Sequence, residues 1–320
     1  MKILVTGGLG FIGSNFICYH QEHYPNDYIV NIDALTYASN TDNLAGINQN
    51  NYQFYNANIL DQGLLQEIIQ GSKIDLIVNF AAESHVDRSI DNPEVFVKTN
   101  VEGTFSLLEL AYLDQLRLIQ ISTDEVYGTL PPDEYALETA ALSPSSPYAA
   151  SKASADLLAL SYHKTYGLKL NIIRSTNNYG PFQHLEKFIP KTITHCLSQK
   201  PIPVYGTGKN MRDWLYVEDN VRAIELVIHH GKDGEIYNVG ANNEISNLEV
   251  VDSILKELGA DRSLVNFVDD RPGHDLRYGV DVKKITALGW QQKYAFADGL
   301  KKTIEWYQTN PEWWNHGNHS

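Results

Sequence analysis

An open α/β sheet of parallel strands with helices on both faces is what this chain predicts, on two observations. Six short, β-rich hydrophobic runs alternate with amphipathic stretches through its first half, and a glycine-rich turn joins the first run to the first helix. Such alternation implies parallel pairing, because each crossover helix carries the chain back to start the next strand in the same direction. The runs are KILVTG, YIVNID, YQFYNANI, DLIVNFAA, LRLIQIST and LNIIRST, apolar enough for strands covered on both faces. Between them, LLQEIIQGS and TFSLLELAYLDQL carry apolar residues at helical spacing, and SPYAASKASADLLALSYHKTYG reads as a long helix stopped at Gly167.

With 320 residues and 43% hydrophobic content, the chain can bury a large core, as one large domain or as two lobes. We expect two. From about residue 176 the pattern changes to loops and short elements, such as NNYGPFQHLEKFIP and KPIPVYGTGKNMRDWLYVEDN, which suits a smaller lobe closing over the strand ends. The expected division is a Rossmann-type unit over 1–175, with a returning segment near 212–244, and a smaller C-terminal α/β substrate-binding lobe made of 176–211 and 245–320. The tail IEWYQTNPEWWNHG is expected to cap a core or an interface.

Composition excludes several functions. A net charge of −14, from 39 Asp+Glu against 25 Lys+Arg, argues against nucleic-acid binding, which needs a basic footprint. A phosphorylated ligand would need a local basic site. Cys18 and Cys196 lie far apart without metal-ligand spacing, so buried free thiols are expected and no metal site. No apolar run approaches the ~20 residues of a membrane span, and MKILVTGG enters a strand at once, so cytoplasmic residence is the expectation.

In TGGLGFIG, Gly7, Gly10 and Gly13 follow the first strand and open the first helix. Absent side chains there let backbone N–H groups and the helix N-terminus approach a pyrophosphate. Asp33 ends the second strand, where a carboxylate can accept the hydroxyls of an adenosine ribose and repel a 2′-phosphate. NAD is therefore expected over NADP.

Tyr148 and Lys152 stand one turn apart on the long helix. A phenol with an ordinary pKa near 10 is a poor base, and positive charge from Lys152 and a nicotinamide cation would make it a better one. Tyr148 could then take a proton from a sugar hydroxyl that Thr123 orients, while hydride leaves the same carbon. Directly after the fifth strand stands Asp124-Glu125, an acidic pair for which simple hydride transfer has no evident use. A ketone acidifies the neighbouring C–H, so Glu125 is the candidate base for that proton. Asp124 is the candidate acid for a departing hydroxyl, which requires a raised pKa.

These residues resemble the dTDP-glucose 4,6-dehydratases of the extended short-chain dehydrogenase/reductase family. The likeness runs through TGGLGFIGSN, AAESHVDRSI, STDEVYG, SPYAASKASAD, NNYGP, EKFIP, VYGTGKNMRDWLYVEDN, YNVGANNE, NLEVV, DRPGHDLRY and WYQTNPEWW, nearly the whole length. It implies a redox-neutral cycle: glucose is oxidised at C4 with Tyr148 as base, Glu125 removes the C5 proton, Asp124 protonates the C6 hydroxyl as it leaves, and hydride returns to C6. By position it places cofactor contacts at Gly7, Gly10, Phe11, Ile12, Gly13, Asp33, Ala34, Leu35, Thr36, Asn58, Ile59, Ala81, Ala82, Thr99, Tyr148, Lys152 and Asn178. Nucleotide-sugar contacts fall at Ser84, Thr123, Asn177, Glu186, Lys187, Phe188, Pro203, Val204, Tyr205, Arg212, Asn247, Arg271 and His274.

In charge terms, Arg212 and Arg271 offer forked donors to a diphosphate in an otherwise acidic protein. The chain departs from the family at Asn58, where an aspartate is usual, and at His184-Leu185, where an aromatic-proline pair is usual. The resemblance also implies a homodimer. A dehydratase of another nucleotide sugar such as UDP-glucose, a 4-epimerase, and a non-catalytic NAD-binding sensor are the alternatives. An epimerase has no use for the Asp124-Glu125 pair, and a sensor no use for intact catalytic groups.

Overall fold

The structure is a computed structural model, which describes residues 1–270, 273 and 275–315. In chain order the strands are β1 (Lys2–Thr6), β2 (Tyr28–Asp33), β3 (Tyr52–Asn56), β4 (Leu76–Asn79), β5 (Arg117–Thr123), β6 (Leu170–Ser175), β7 (Asn177–Tyr179), β8 (Ile202–Tyr205), β9 (Met211–Tyr216), β10 (Ile236–Val239), β11 (Glu244–Ser246) and β12 (Val265–Val268). The helices are α1 (Phe11–His23), α2 (Gln62–Ser72), α3 (Val86–Asp91), α4 (Pro93–Phe96), α5 (Gly103–Leu113), α6 (Pro147–Tyr166), α7 (Phe188–Leu197), α8 (Val217–His230), α9 (Asn247–Leu258), α10 (Lys283–Ala287), α11 (Phe296–Thr309) and α12 (Pro311–Asn315).

Seven strands form one parallel sheet in the order β10-β6-β5-β4-β1-β2-β3. All six expected strands are present, and β10 adds a seventh. Period-2 alternation loads both faces: Ile3 and Val5 of β1 pack with α1 and α8, whereas Leu4 faces α2, α5 and α6. The strand order reverses at β1, between β2 and β4, so the carboxyl ends of these strands open a crevice.

Helix α6 has a local explanation at each end. Ser146 accepts from the Ala149 N–H, Pro147 occupies the first turn, and Gly167 closes the helix at φ +70°. Above the strand ends, the chain after β6 builds a three-stranded sheet (β11-β9-β7) and a β12-β8 pair. Tyr179, Trp214, Tyr216, Val250, Phe296 and Tyr307 form a separate core there, with Trp306, Trp313 and Trp314 of the tail packed on it. More of this region is regular than the sequence suggested, since α7, α8, α9 and α11 all fall after residue 176. Among the described residues no helix is long and apolar enough to cross a membrane, no cluster of three metal-ligating side chains occurs, and Cys18 and Cys196 are free.

Candidate active site

A cavity opens at the reversal of the strand order, and the glycine turn forms its base. Gly7 has φ +71°, and a Cβ there would sit 2.6 Å from the Ala81 nitrogen; a Cβ on Gly13 would sit 2.4 Å from the Gly7 carbonyl oxygen. The turn is therefore pressed against the segment that follows β4, and the start of α1 against the turn, as only glycine allows. Gly10 caps α1 without a side-chain hydrogen bond, and no acidic residue occupies the first turn. Its N-terminal amides suit a pyrophosphate.

Asp33 is held by three protein donors: Leu9 N–H at 3.0 Å, Leu35 N–H at 3.0 Å and Ser39 Oγ at 2.6 Å. With about four acceptor positions on a carboxylate, room remains for a ribose hydroxyl, and Ser39 is the partner that a second hydroxyl could replace. Asn58 turns its Oδ1 to the Leu60 N–H at 3.0 Å. Thr99 lies in a π-helical segment, 97–102. Beside it, Asn100 accepts from Glu83 N–H and donates to Glu83 O and Ser151 Oγ, which fixes the wall after β4.

Of the expected cofactor contacts, Gly7, Gly10, Phe11, Ile12, Gly13, Asp33, Ala34, Thr36, Asn58, Ile59, Ala81, Ala82, Thr99, Tyr148 and Lys152 line this cavity. Two do not. Leu35 is 43% exposed and serves Asp33 through its main chain, and Asn178 turns its amide back to Thr176 O at 2.9 Å. The shape and donors fit a dinucleotide. The cavity is also lined by Ser39, Glu83, Ser122 and Gln183, which the sequence did not single out, and by His184, one of the two departures from the family pattern; the first four carry no signal until the fold brings them to the crevice.

The catalytic candidates converge at the end of β5. Thr123 caps a 3₁₀ turn, Asp124–Tyr127, accepting from the Glu125 N–H at 3.3 Å and donating to Asp124 Oδ1 at 3.2 Å. Its hydroxyl also meets Tyr148. Asp124 is only 2% exposed and its Oδ2 has no hydrogen-bond partner. Burial first, then the charges of Glu125 and Asp213, drive its carboxyl well above the ordinary range, so it keeps a proton that can be donated.

Tyr148 and Lys152 are buried on α6. Burial and then Glu125 push the phenol up. Burial brings the Lys152 ammonium down to about 8, and its Nζ donates to Ile121 O at 2.6 Å. Asp213 and Tyr278 were not foreseen. Asp213 of β9 is buried, accepts from the Asn242 and Asn243 N–H groups, and adds its charge to Asp124. Tyr278 donates to Asp275 Oδ2 at 2.5 Å and lies under the Arg212 guanidinium, 4.4 Å from ring centroid to Cζ. Glu125 is a charge that raises it.

The expected sugar-nucleotide contacts are more dispersed. Ser84, Glu186 and Lys187 line the cavity, with Lys187 Nζ donating to Ser84 O at 2.6 Å and Glu186 3.1 Å from Arg88. His85 beside them is lowered to about 4 by burial and by Lys187, hence neutral. Asn177 buries an unpartnered Oδ1 at the start of β7. Arg212 donates to the carbonyls of Met211 and Leu276 and to that of Asp275, leaving about two of its five N–H donors.

Phe188 stacks on Trp214, with centroids 6.0 Å apart. Val204 is 1% exposed in a core with Ile202 and Val251, so its side chain is committed to packing. Pro203 is half-buried on β8, and Tyr205, at its end, donates to Asp87 at 3.3 Å. Asn247 opens α9, its N–H on Asn210 O at 3.1 Å. Arg271 and His274 lie outside the described residues.

A dinucleotide crevice with a Tyr/Lys pair and an added acid and base defines an NAD-type sugar-modifying enzyme class, and the comparisons fall within it. The chain belongs to the family whose model is described as GDP-mannose 4,6 dehydratase, which matches residues 4–303. It is 48% identical to the dTDP-glucose 4,6-dehydratase of Streptomyces niveus, over 98% of this chain and 95% of that protein. It is also 48% identical to the low-salt glycan biosynthesis protein Agl12 of Haloferax volcanii, over 98% of this chain and all of that one. Among solved structures, DesIV, a dTDP-glucose 4,6-dehydratase from Streptomyces venezuelae crystallised with NAD bound, superposes with a TM-score of 0.95. The two are 47% identical, and the match covers 98% of this chain and 99% of DesIV.

Proposed function

We propose that this chain dehydrates dTDP-glucose to dTDP-4-keto-6-deoxyglucose and water, using NAD, as a step of deoxysugar synthesis. The observation that carries the reading is Asp124: a buried, proton-retaining carboxyl with an unpartnered oxygen, set beside Glu125 and near enough to Tyr148 for their charges to interact. When bound, NAD would supply the hydride acceptor for C4 and the donor for C6, together with the positive charge of its oxidised ring. Thr123 orients the C4 hydroxyl and Tyr148 takes its proton. Because burial pushes Tyr148 up, that transfer depends on fixed positive charge, which Lys152, one turn further along α6, is placed to give. Glu125 then removes the C5 proton, acidified by the C4 ketone, and Asp124 protonates the C6 hydroxyl as it leaves. Arg212 and Lys187 offer the local cations that a diphosphate needs.

Residues 1–175 with 212–244 hold the cofactor in this reading, and 176–211 with 245–320 close over the sugar nucleotide. The enzyme works in the cytoplasm as a homodimer. The test is mass spectrometry after incubation in deuterated water, separately with dTDP-glucose and UDP-glucose and no added reductant. Loss of one water, one solvent deuterium at C5 and transfer of the C4 hydrogen to C6 are expected with dTDP-glucose. Turnover only with UDP-glucose would change the nucleotide, and no water loss from either would overturn the dehydratase reading.

A further inference from the structure

Behind the Tyr148/Lys152 pair lies a third ionisable side chain that the chemistry above does not use. Asp156 stands one further turn along α6, so residues 148, 152 and 156 form a row on the inner face of the helix. It is fully buried, as is Arg174 of β6, whose Nε donates to Asp156 Oδ2 at 2.8 Å. The other carboxylate oxygen, Oδ1, is buried without a hydrogen-bond partner. Arg174 Nη1 reaches Tyr127 Oη at 2.8 Å, and that hydroxyl donates to Asn238 Oδ1 at 2.8 Å. Since Tyr127 closes the same 3₁₀ turn that carries Asp124 and Glu125, the ion pair ties the acid-base turn to the helix bearing Tyr148 and Lys152.

Lys152 itself is buried, with the neutral Ile121 carbonyl as its hydrogen-bond acceptor. A buried ammonium on a carbonyl alone stays charged only with an anion nearby. The Tyr148 end of the row is faced by Asp124 and Glu125 from the turn after β5; the Asp156 end is faced by Arg174 from β6 and the Ser122 hydroxyl from β5. Asp156 is the charge that acts upward on Lys152, and it acts upward on Tyr148 as well; burial raises its own carboxyl, and Arg174 is the first charge that opposes this and holds it ionised.

We propose that Asp156, clamped by Arg174, is a positioning residue for C4 oxidation, the fixed anion that holds the Lys152 ammonium charged behind Tyr148. This rests on the dehydratase reading. An isosteric Asp156→Asn change lets Lys152 lose its proton at lower pH. The alkaline limb of kcat/KM for dTDP-glucose then moves down by roughly 1–3 pH units, the range for an opposite charge at close approach. Below the displaced limb the variant approaches the wild type, and above it the deficit grows with pH. A deficit of the same factor at every pH, or none, would overturn the proposal.

Removing one partner strands the buried Arg174 charge and can unfold the protein. Asp156→Asn combined with Arg174→Met avoids this and is expected to move the limb in the same direction; an unmoved limb in a folded double variant also overturns the proposal. Lysine 13Cε chemical shifts, with Lys152 assigned through a Lys152→Met variant, read its ionisation in NAD-loaded protein without sugar. A lower midpoint in the variants with an inactive wild type would sink the dehydratase reading alone, and an unchanged midpoint would sink the role of Asp156.

Discussion

Asp124 and Glu125 are neighbours in sequence whose surroundings divide their work. Asp124 is buried and proton-retaining, and Glu125 is half-buried and close enough to Tyr148 and Tyr278 for its charge to act on both. Glu125→Gln is expected to keep NAD and lose dehydration by about 10²–10⁴-fold, since an amide cannot take the C5 proton. The check is the absence of solvent deuterium at C5; a variant with normal turnover would remove Glu125 from that role. Asp124→Asn makes a different prediction, on stability. The folded-state pKa of Asp124 lies above its unfolded value, so its favourable contribution is complete below about pH 4 and is lost as pH rises through the folded pKa. The Asn variant has no such loss, so its melting temperature should gain on the wild type between pH 4 and 8 while elimination slows. A difference in melting temperature that is flat with pH would contradict the raised pKa.

At the scale of elements, the legible parts were those with a local cause. Six strands of the large sheet follow from hydrophobic runs, and α6 ends where Ser146, Pro147 and Gly167 end it. The β7-β9-β11 sheet was hidden, because three-residue strands such as β7 and β11 are too short to show a period. For the same reason Asp213 and Tyr278 could not be placed beside the acid-base pair: their approach depends on how that small sheet folds over the strand ends. The π-helical segment, 97–102, was equally unsignalled, although it sets Thr99 against the cavity. Its neighbour Asn100 makes three hydrogen bonds, two of them to the Glu83 main chain. Asn100→Ala leaves buried groups unmet and should cost about 1–3 kcal/mol by denaturant unfolding. It should also weaken retention of NAD on gel filtration; a stable variant that holds its cofactor would show the wall after β4 to be fixed by other contacts.

For the molecule as a whole, the same helix that presents Tyr148 and Lys152 inward carries Leu157 and Tyr166 on its outer side, 57% and 52% exposed. Helix α5 alongside it exposes Phe105, Tyr112 and Leu113. Tyr112 and Tyr166 pack with ring centroids 5.0 Å apart, which joins the two helices' outer faces into one apolar patch. A soluble monomer rarely leaves such a patch in water, and two parallel helices meeting the same pair of a second copy form a four-helix bundle across a two-fold axis. The net charge of −14 also opposes nonspecific association of two copies, so the dimer proposed above would draw on this local apolar area. Leu113→Glu combined with Leu157→Glu places like charges on this patch, and the proposed dimer then predicts a change from two chains to one by light scattering. Because Tyr148 and Lys152 ride on the inner face of α6, loosening its outer support should also raise KM or lower kcat. A double variant that still scatters as two chains would move the interface elsewhere on the molecule.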